Sequence, residues 1–344
     1  MNTIKPITAG TNKTSPKEPL TSAEMGKLWA TYMGNSMSKC ILAYFLKHVD
    51  DHDIKALLEN ASKLCGEFLK TAERLLKEEN FPVPDGFDEN DVNPDAPRLY
   101  HDDYYVHYLK YVAKAGMSIY SIGYPIIFRK DIAEFFRYCV EAATELMEQI
   151  KDILMQKGLI IKPPFIPVPE RVEYAQKDFL NGFLGRVRPL HALEIAHLYD
   201  NIENNATSKA LIMSFAQTAR SGKIRQLFEK GTKMTHSNLE RYMQKLHDEN
   251  LPSPTFLDDL VTDSTFAPFS DKLMLFHKMD MFSMKIRAFG NSLAVNGRHD
   301  IGLLYSRSLL NITQFVTEAS DIMMENGWME KPPEAAERQN LASK

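Results

Sequence analysis

Apolar residues recur at three- and four-residue intervals through most of the chain, and the strict alternation of a half-buried strand is scarce. Met25, Leu28, Trp29 and Tyr32 fall on one helical face behind Thr21 and Glu24, which fit a capping box. A longer stripe runs through Ile54, Leu57, Leu58, Ala61, Leu64, Cys65, Phe68, Ala72, Leu75 and Leu76, with Asp51 or Asp53 available as its cap. Tyr104, Tyr108, Tyr111, Val112, Ala115, Ile119 and Ile122 form a third stripe, which Gly123 and Pro125 should kink or end. The fourth begins near Asp131, carries Ile132, Phe135, Phe136, Cys139, Ala143, Leu146, Ile150 and Ile153, and stops at Gly158, a C-terminal glycine cap.

The same four stripes are then written again. A shift of about 170 residues lays the second half of the chain on the first. Glu79-Asn80-Phe81-Pro82-Val83-Pro84 returns as Glu249-Asn250-Leu251-Pro252-Ser253-Pro254, so a helix stop and its proline brake are both kept. Asp152-Ile153, Met155, Gly158 and Lys162-Pro163-Pro164 return as Asp321-Ile322, Met324, Gly327 and Lys331-Pro332-Pro333. Between these anchors lie matched pairs such as Glu24/Glu194, Ser38/Ser208, Arg129/Arg298 and Asp131/Asp300.

Spacing suggests the topology. A stretch rich in Pro, Asp and Asn separates Asn80 from Asp102, far longer than a tight helical hairpin needs, whereas the other turns are short. One long crossover between two hairpins is the connectivity of ferritin-like bundles. The expected fold is therefore all-α: two tandem ferritin-like four-helix bundles over 19–164 and 189–334, each with its own core. A linker with a mildly helical stretch spans 165–188, and flexible tails occupy 1–18 and 335–344.

Composition narrows the function. With 44% hydrophobic and 25% charged residues and a formal net charge of −4, the chain suits a soluble globular body and lacks a strongly basic nucleic-acid footprint. No apolar run approaches the roughly 20 residues that span a bilayer, and the polar start lacks a signal-peptide core. A cytoplasmic protein with no membrane insertion and no nucleic-acid partner is expected. Cys40, Cys65 and Cys139 all lie in the first repeat without a short-spaced pair, so buried free thiols are expected in place of a zinc ribbon or disulfide framework.

A ferritin-like bundle raises di-iron oxidase chemistry, which needs inward Glu on two helices and inward Glu-x-x-His on the others. The helical wheel sets the acids outside instead: Glu134, Glu141, Glu145 and Glu148 lie opposite the fourth stripe, and Glu59, Glu67 and Glu73 fall away from the second. Glu194-Ile195-Ala196-His197 opens a helix, and Glu194 reads as a helix-start residue like Glu24. His236, Glu240 and His247 read as surface groups. His277, in the face of Leu273, Met281, Met284 and Ala288 and aligned with Tyr108, reads as a hydrogen-bonded core histidine. The tyrosines 104, 108 and 111 read as core packing with wet hydroxyl ends. No P-loop, strand-borne Gly-x-Gly-x-x-Gly or Gly-x-Ser-x-Gly is present. The residues thus nominate no catalytic, cofactor-binding or metal site, and no cofactor.

The second repeat's opening, Arg186-Val187-Arg188-Pro189-Leu190-His191-Ala192-Leu193-Glu194, and the Lys331-Pro332-Pro333 ending resemble an uncharacterised family of duplicated ferritin-like proteins from endospore-forming bacteria, related to spore coat protein F. The resemblance covers Pro19 to Pro333. It implies a tandem bundle associated with sporulation or the spore, and it transfers no active-site residue. The expectation is a non-catalytic structural or interaction protein whose partners are itself or other sporulation proteins. Two alternatives stand beside it: an atypical metal-binding or oxidase bundle around His277 or Glu194, and a carrier with an apolar pocket in a bundle bent at Gly123 and Pro125.

Overall fold

The computed structural model describes residues 18–183, 185 and 187–338. The expected tail at 1–18 lies almost entirely outside the described residues, as does most of that at 335–344. Among the described residues eight α-helices follow in order: α1 (Ser22–His48), α2 (His52–Glu78), α3 (Asp102–Gly123), α4 (Lys130–Gln156), α5 (Ala192–Thr218), α6 (Gly222–His247), α7 (Asp271–Val295) and α8 (His299–Glu325). Their ends are chemically marked. Thr21 and Glu24 close a capping box on α1, and Asp51 caps α2 by accepting from the amides of Asp53 and Ile54. Asn80 and Asn250 end α2 and α6 at φ 56° and 58°, and Gly158 and Gly327 end α4 and α8 at 67° and 66°. These left-handed residues let the next amide return to the last turn, as Phe81 N–H does to the Leu76 carbonyl at 2.9 Å. Helix α3 ends at Gly123, where a short 3-10 turn containing Pro125 takes over. Among the described residues of 165–188 there are turns and irregular chain but no helix, in place of the mildly helical stretch expected after Pro169.

Polar contacts at the two ends fix the helix directions. The Asp102 carboxylate at the start of α3 accepts from the amides of Asp50 and Asp51 in the α1–α2 turn, at 3.1 and 2.7 Å, and Lys157 at the end of α4 pairs with Asp51 at 2.7 Å. At the other end Glu24 accepts from the amides of Phe128 and Arg129 at 3.0 and 2.8 Å, while Arg129 reaches Glu79 at the end of α2 at 2.6 Å. Helices α1 and α4 therefore run one way and α2 and α3 the other, which requires the long crossover at 79–101. The second bundle repeats this: Asp271 accepts from Arg220 and Ser221, Glu194 from Gly297 and Arg298, and Arg298 pairs with Glu249 at 3.0 Å.

The crossovers also join the halves. Val92 pairs antiparallel with Phe269, and Tyr100 with Val261. Asn93 N–H donates to the Pro268 carbonyl at 2.7 Å, and its counterpart Thr262 N–H donates to Leu99 at 2.9 Å. His101 N–H donates to Leu260 and its counterpart Ser270 N–H to Asp91, both at 2.9 Å. Each bond has a mate with the halves exchanged, the signature of an isologous two-fold contact. Tyrosine hydroxyls cross the same seam: Tyr104 donates to the Thr207 carbonyl, Tyr111 to that of Met281, and Tyr100 meets Ser214. These hydroxyls are dry, which corrects the wet-ended reading.

Two separate cores give way to one. A single apolar cluster runs from Met37, Phe45 and Tyr105 in the first half to Phe215, Phe269, Phe289 and Phe315 in the second. A smaller cluster of Leu28, Phe68, Leu75, Ile132, Phe136 and Cys139 closes the far end of the first bundle. Aromatic rings from both halves meet edge-on at the seam: Tyr44 lies 5.3 Å from Phe269, which in turn lies 6.2 Å from Phe215 of its own half.

Candidate functional site: the two bundle interiors

The shared charged residues Glu24/Glu194, Arg129/Arg298 and Asp131/Asp300 are spent at the bundle ends. Glu24 is 1% exposed and Glu194 2%. Burial acts to raise the carboxyl pKa of each; for Glu24 the amides of Thr21, Arg129 and Phe128 overcome it, and for Glu194 the Arg188 guanidinium and the amides of His191 and Arg298 do so, leaving both below the ordinary value. Arg298 holds Asp300 through both Nε and Nη2 and donates to the Arg188 carbonyl, while Arg129 treats Asp131 and the Glu18 carbonyl in the same way. Each of these clusters ties the start of the first helix, the end of the second and the start of the fourth into one knot.

The other candidates are dispersed. His277 sits mid-bundle with Nε2 2.7 Å from the Tyr108 hydroxyl, so residues matched by the repeat touch across the seam. Burial pulls its pKa down to about 4, and it is neutral at physiological pH. His197 is half-buried near Ser292, His236 pairs with Glu240 on α6, and His247 touches Ser253. Glu194 and His277 are not brought together. Among the described residues no group of three or more His, Cys, Asp or Glu could hold a metal ion. Cys40 and Cys139 are buried and Cys65 is half-buried, all as free thiols. No helix among the described residues is long and apolar enough to cross a membrane.

The interiors themselves differ between the repeats. The first bundle holds a partly open chamber of about 60 Å³, lined by Leu42, Cys65, Phe68, Leu109, Gly116 and Tyr120, with Asn35 and Ser38 on one wall. In the second bundle the matching positions carry Thr235, Asn238, Lys278, Lys285, Asn205 and Ser208. Lys278 is 0% exposed and Lys285 1%. Lys278 Nζ donates to the Ser208 carbonyl at 2.8 Å and contacts its hydroxyl, and Lys285 Nζ donates to Asn205 Oδ1 at 2.9 Å. Both amines stand over the Phe282 ring, 4.6 and 5.0 Å from its centroid. Burial brings the Lys285 amine down to about 7 and the Lys278 amine well below its usual value, the latter helped by Lys285 beside it. Fully buried lysines without a carboxylate are rare.

In the sequence Lys278 follows His277 and Lys285 follows Met284, on the edge of the apolar stripe of α7. Their counterparts in the first repeat are Leu109, which is buried, and Gly116, which lines the chamber.

Two consecutive segments, 8–172 and 178–341, match the model of the family described as "Protein of unknown function (DUF3231)". The chain belongs to this family. It carries two copies of the DUF3231 unit, one for each bundle. The uncharacterized protein YvdQ of Bacillus subtilis (strain 168) is 28% identical over 153 residues, covering 43% of this chain and 89% of YvdQ. The crystal structure of a candidate spore coat protein from Bacillus halodurans C-125 aligns with a TM-score of 0.38 at 16% identity, over 44% of this chain and 98% of that one. Each comparison spans about the length of one unit.

Proposed function

We propose that this DUF3231 protein is a non-catalytic structural or interaction protein, acting in a sporulation setting through self-association or contacts with other sporulation proteins. The observation that carries the reading is the seam. A duplicated unit has become a covalently fused pseudo-dimer, its crossovers paired and its repeated charged residues consumed in knots at the bundle ends. Such a body is stiff and presents two related outer surfaces, which suits a building block better than a catalyst. The sporulation setting, and the kinship to ferritin-like bundles, rest on the sequence resemblance and on the up-down-down-up helix directions. The test is location and assembly: the protein should enrich in the spore fraction of a sporulating host. A protein uniformly dispersed and absent from that fraction overturns the reading.

The chamber of the first bundle favours a second reading, carriage of a small apolar molecule. At about 60 Å³ it has room for two water-sized bodies unless Phe68 or Tyr120 moves. Native mass spectrometry showing no retained small molecule removes this option.

A further inference from the structure

We propose that the centre of the second bundle is a binding site for a small monovalent anion, held by the Lys278 and Lys285 amines and the Thr235 hydroxyl. The two amines bring more donors to the centre than the acceptors bonded to them there, and His277 Nδ1 beside Lys278 is also buried without a partner. A protonated lysine carries three N–H groups. Lys278 uses two on Ser208, and Lys285 uses one on Asn205. No carboxylate among the described residues lies within ion-pair distance of either amine. Thr235 is 1% exposed, and its hydroxyl has no hydrogen-bond partner. It stands where the first bundle has Cys65, a residue that lines the chamber, so the hydroxyl belongs to the bundle centre. Asn205 spends its own amide N–H on the Asn201 carbonyl, leaving its oxygen to Lys285.

A buried cation without a counter-charge is expensive, and a buried hydroxyl without a partner adds to the cost. An anion supplies the missing charge and the missing acceptor together. The Phe282 ring beneath both amines stabilises them in the charged form that an anion requires. Lys278 and Lys285 stand where the first bundle has Leu109 and Gly116 on its chamber wall, so the proposed guest is small, a halide or a formate-sized carboxylate in place of phosphate. A groove of about 250 Å³ between α6 and α8 offers a way in, lined by Lys230, Asn238, Arg241 and Phe315. Phe315 packs edge-on against Phe282 at 4.8 Å, so the groove ends one ring away from the amines. The first bundle, with Leu109, Gly116 and Cys65 at these positions, has no such site.

Crystals of the full chain soaked in sodium bromide test the site directly by anomalous diffraction. A bromide peak within about 3.5 Å of Lys285 Nζ is expected, with none in the first-bundle chamber. In solution, bromide and formate titrations followed by calorimetry should saturate at one ion per chain and take up protons in a buffer-dependent manner near pH 8. Lys285→Met should abolish binding, and Thr235→Val, which keeps the shape of the site, should weaken it about fivefold, the effect of one hydrogen bond. Bromide found only on the surface, or binding unchanged in Thr235→Val and Lys285→Met, overturns the proposal.

Discussion

Replacing Lys285 by methionine removes the amine while keeping most of the stem's volume, which makes it a sharp probe of the second bundle's centre. The unfolded chain holds this amine near its ordinary value of 10.5, and burial in the folded state lowers it to about 7. Between those values the unfolded chain binds a proton that the folded chain does not, so stability rises with pH across the window. Above it neither state is charged and the cost vanishes; below about 7 both are charged and the full cost remains. At 1.36 kcal/mol per pH unit, the burden near neutrality is on the order of 5 kcal/mol. Methionine lifts it but strands Asn205 Oδ1, a loss of about 1–3 kcal/mol. The net expectation is a variant more stable at pH 7 by about 2–4 kcal/mol. Urea unfolding in halide- and formate-free buffer from pH 7 to 9.5 should show this advantage shrinking steadily as pH rises. The ceiling of 9.5 keeps clear of the buried tyrosines, whose raised pKa values act in the opposite sense above pH 10. A variant less stable than the parent at pH 7, or an advantage independent of pH, would refute the argument that an uncompensated amine is buried there.

Removing the buried guanidinium in Arg298→Ala leaves Asp300 to Lys245 alone, takes the cation from Glu249, and should cost about 2–3 kcal/mol in urea unfolding; no loss would mean that the knot is ornamental. Tyr108→Phe deletes the hydroxyl facing His277 across the seam and should cost about 1–3 kcal/mol by the same measurement. Gly116→Ala places a Cβ 3.4 Å from Tyr120 and 3.9 Å from Ala143, ordinary contacts in a helix interior, and should stabilise by about 1 kcal/mol, read as a raised Tm. The depressed carboxyls of Glu24 and Glu194 contribute stability that is complete above their unfolded value of 4.5 and is lost as pH falls through the lower folded values. Parent minus Glu194→Gln stability should therefore decline below pH 4.5, and a flat difference would count against the hydrogen-bonded carboxylate.

Periodicity alone determined the helices, their caps and the duplication, because each is local: a stripe repeats every 3.6 residues, and Thr21, Asp51, Asn80 and Gly158 mark ends through chemistry within a turn. The long crossover was legible for the same reason, as a proline- and aspartate-rich interval between stripes. The family resemblance likewise came from short strings, and these say which group the chain belongs to without saying what it does. Only the tertiary structure decided that the halves share one core, since nothing within either repeat tells Val92 to pair with Phe269 or Tyr108 to meet His277 instead of solvent. It also decided the fate of the charges. Glu24 and Arg129 could be recognised as repeated yet not as joined, and Lys278 is buried only because α5 packs against α7, bringing Ser208 to its amine. Tyr108 and His277 are 169 positions apart, Tyr104 and Thr207 103, and Lys285 and Asn205 80. Burial, which sets both the packing of Tyr104 and the protonation of Lys285, depends on those distant neighbours and not on the residues beside them.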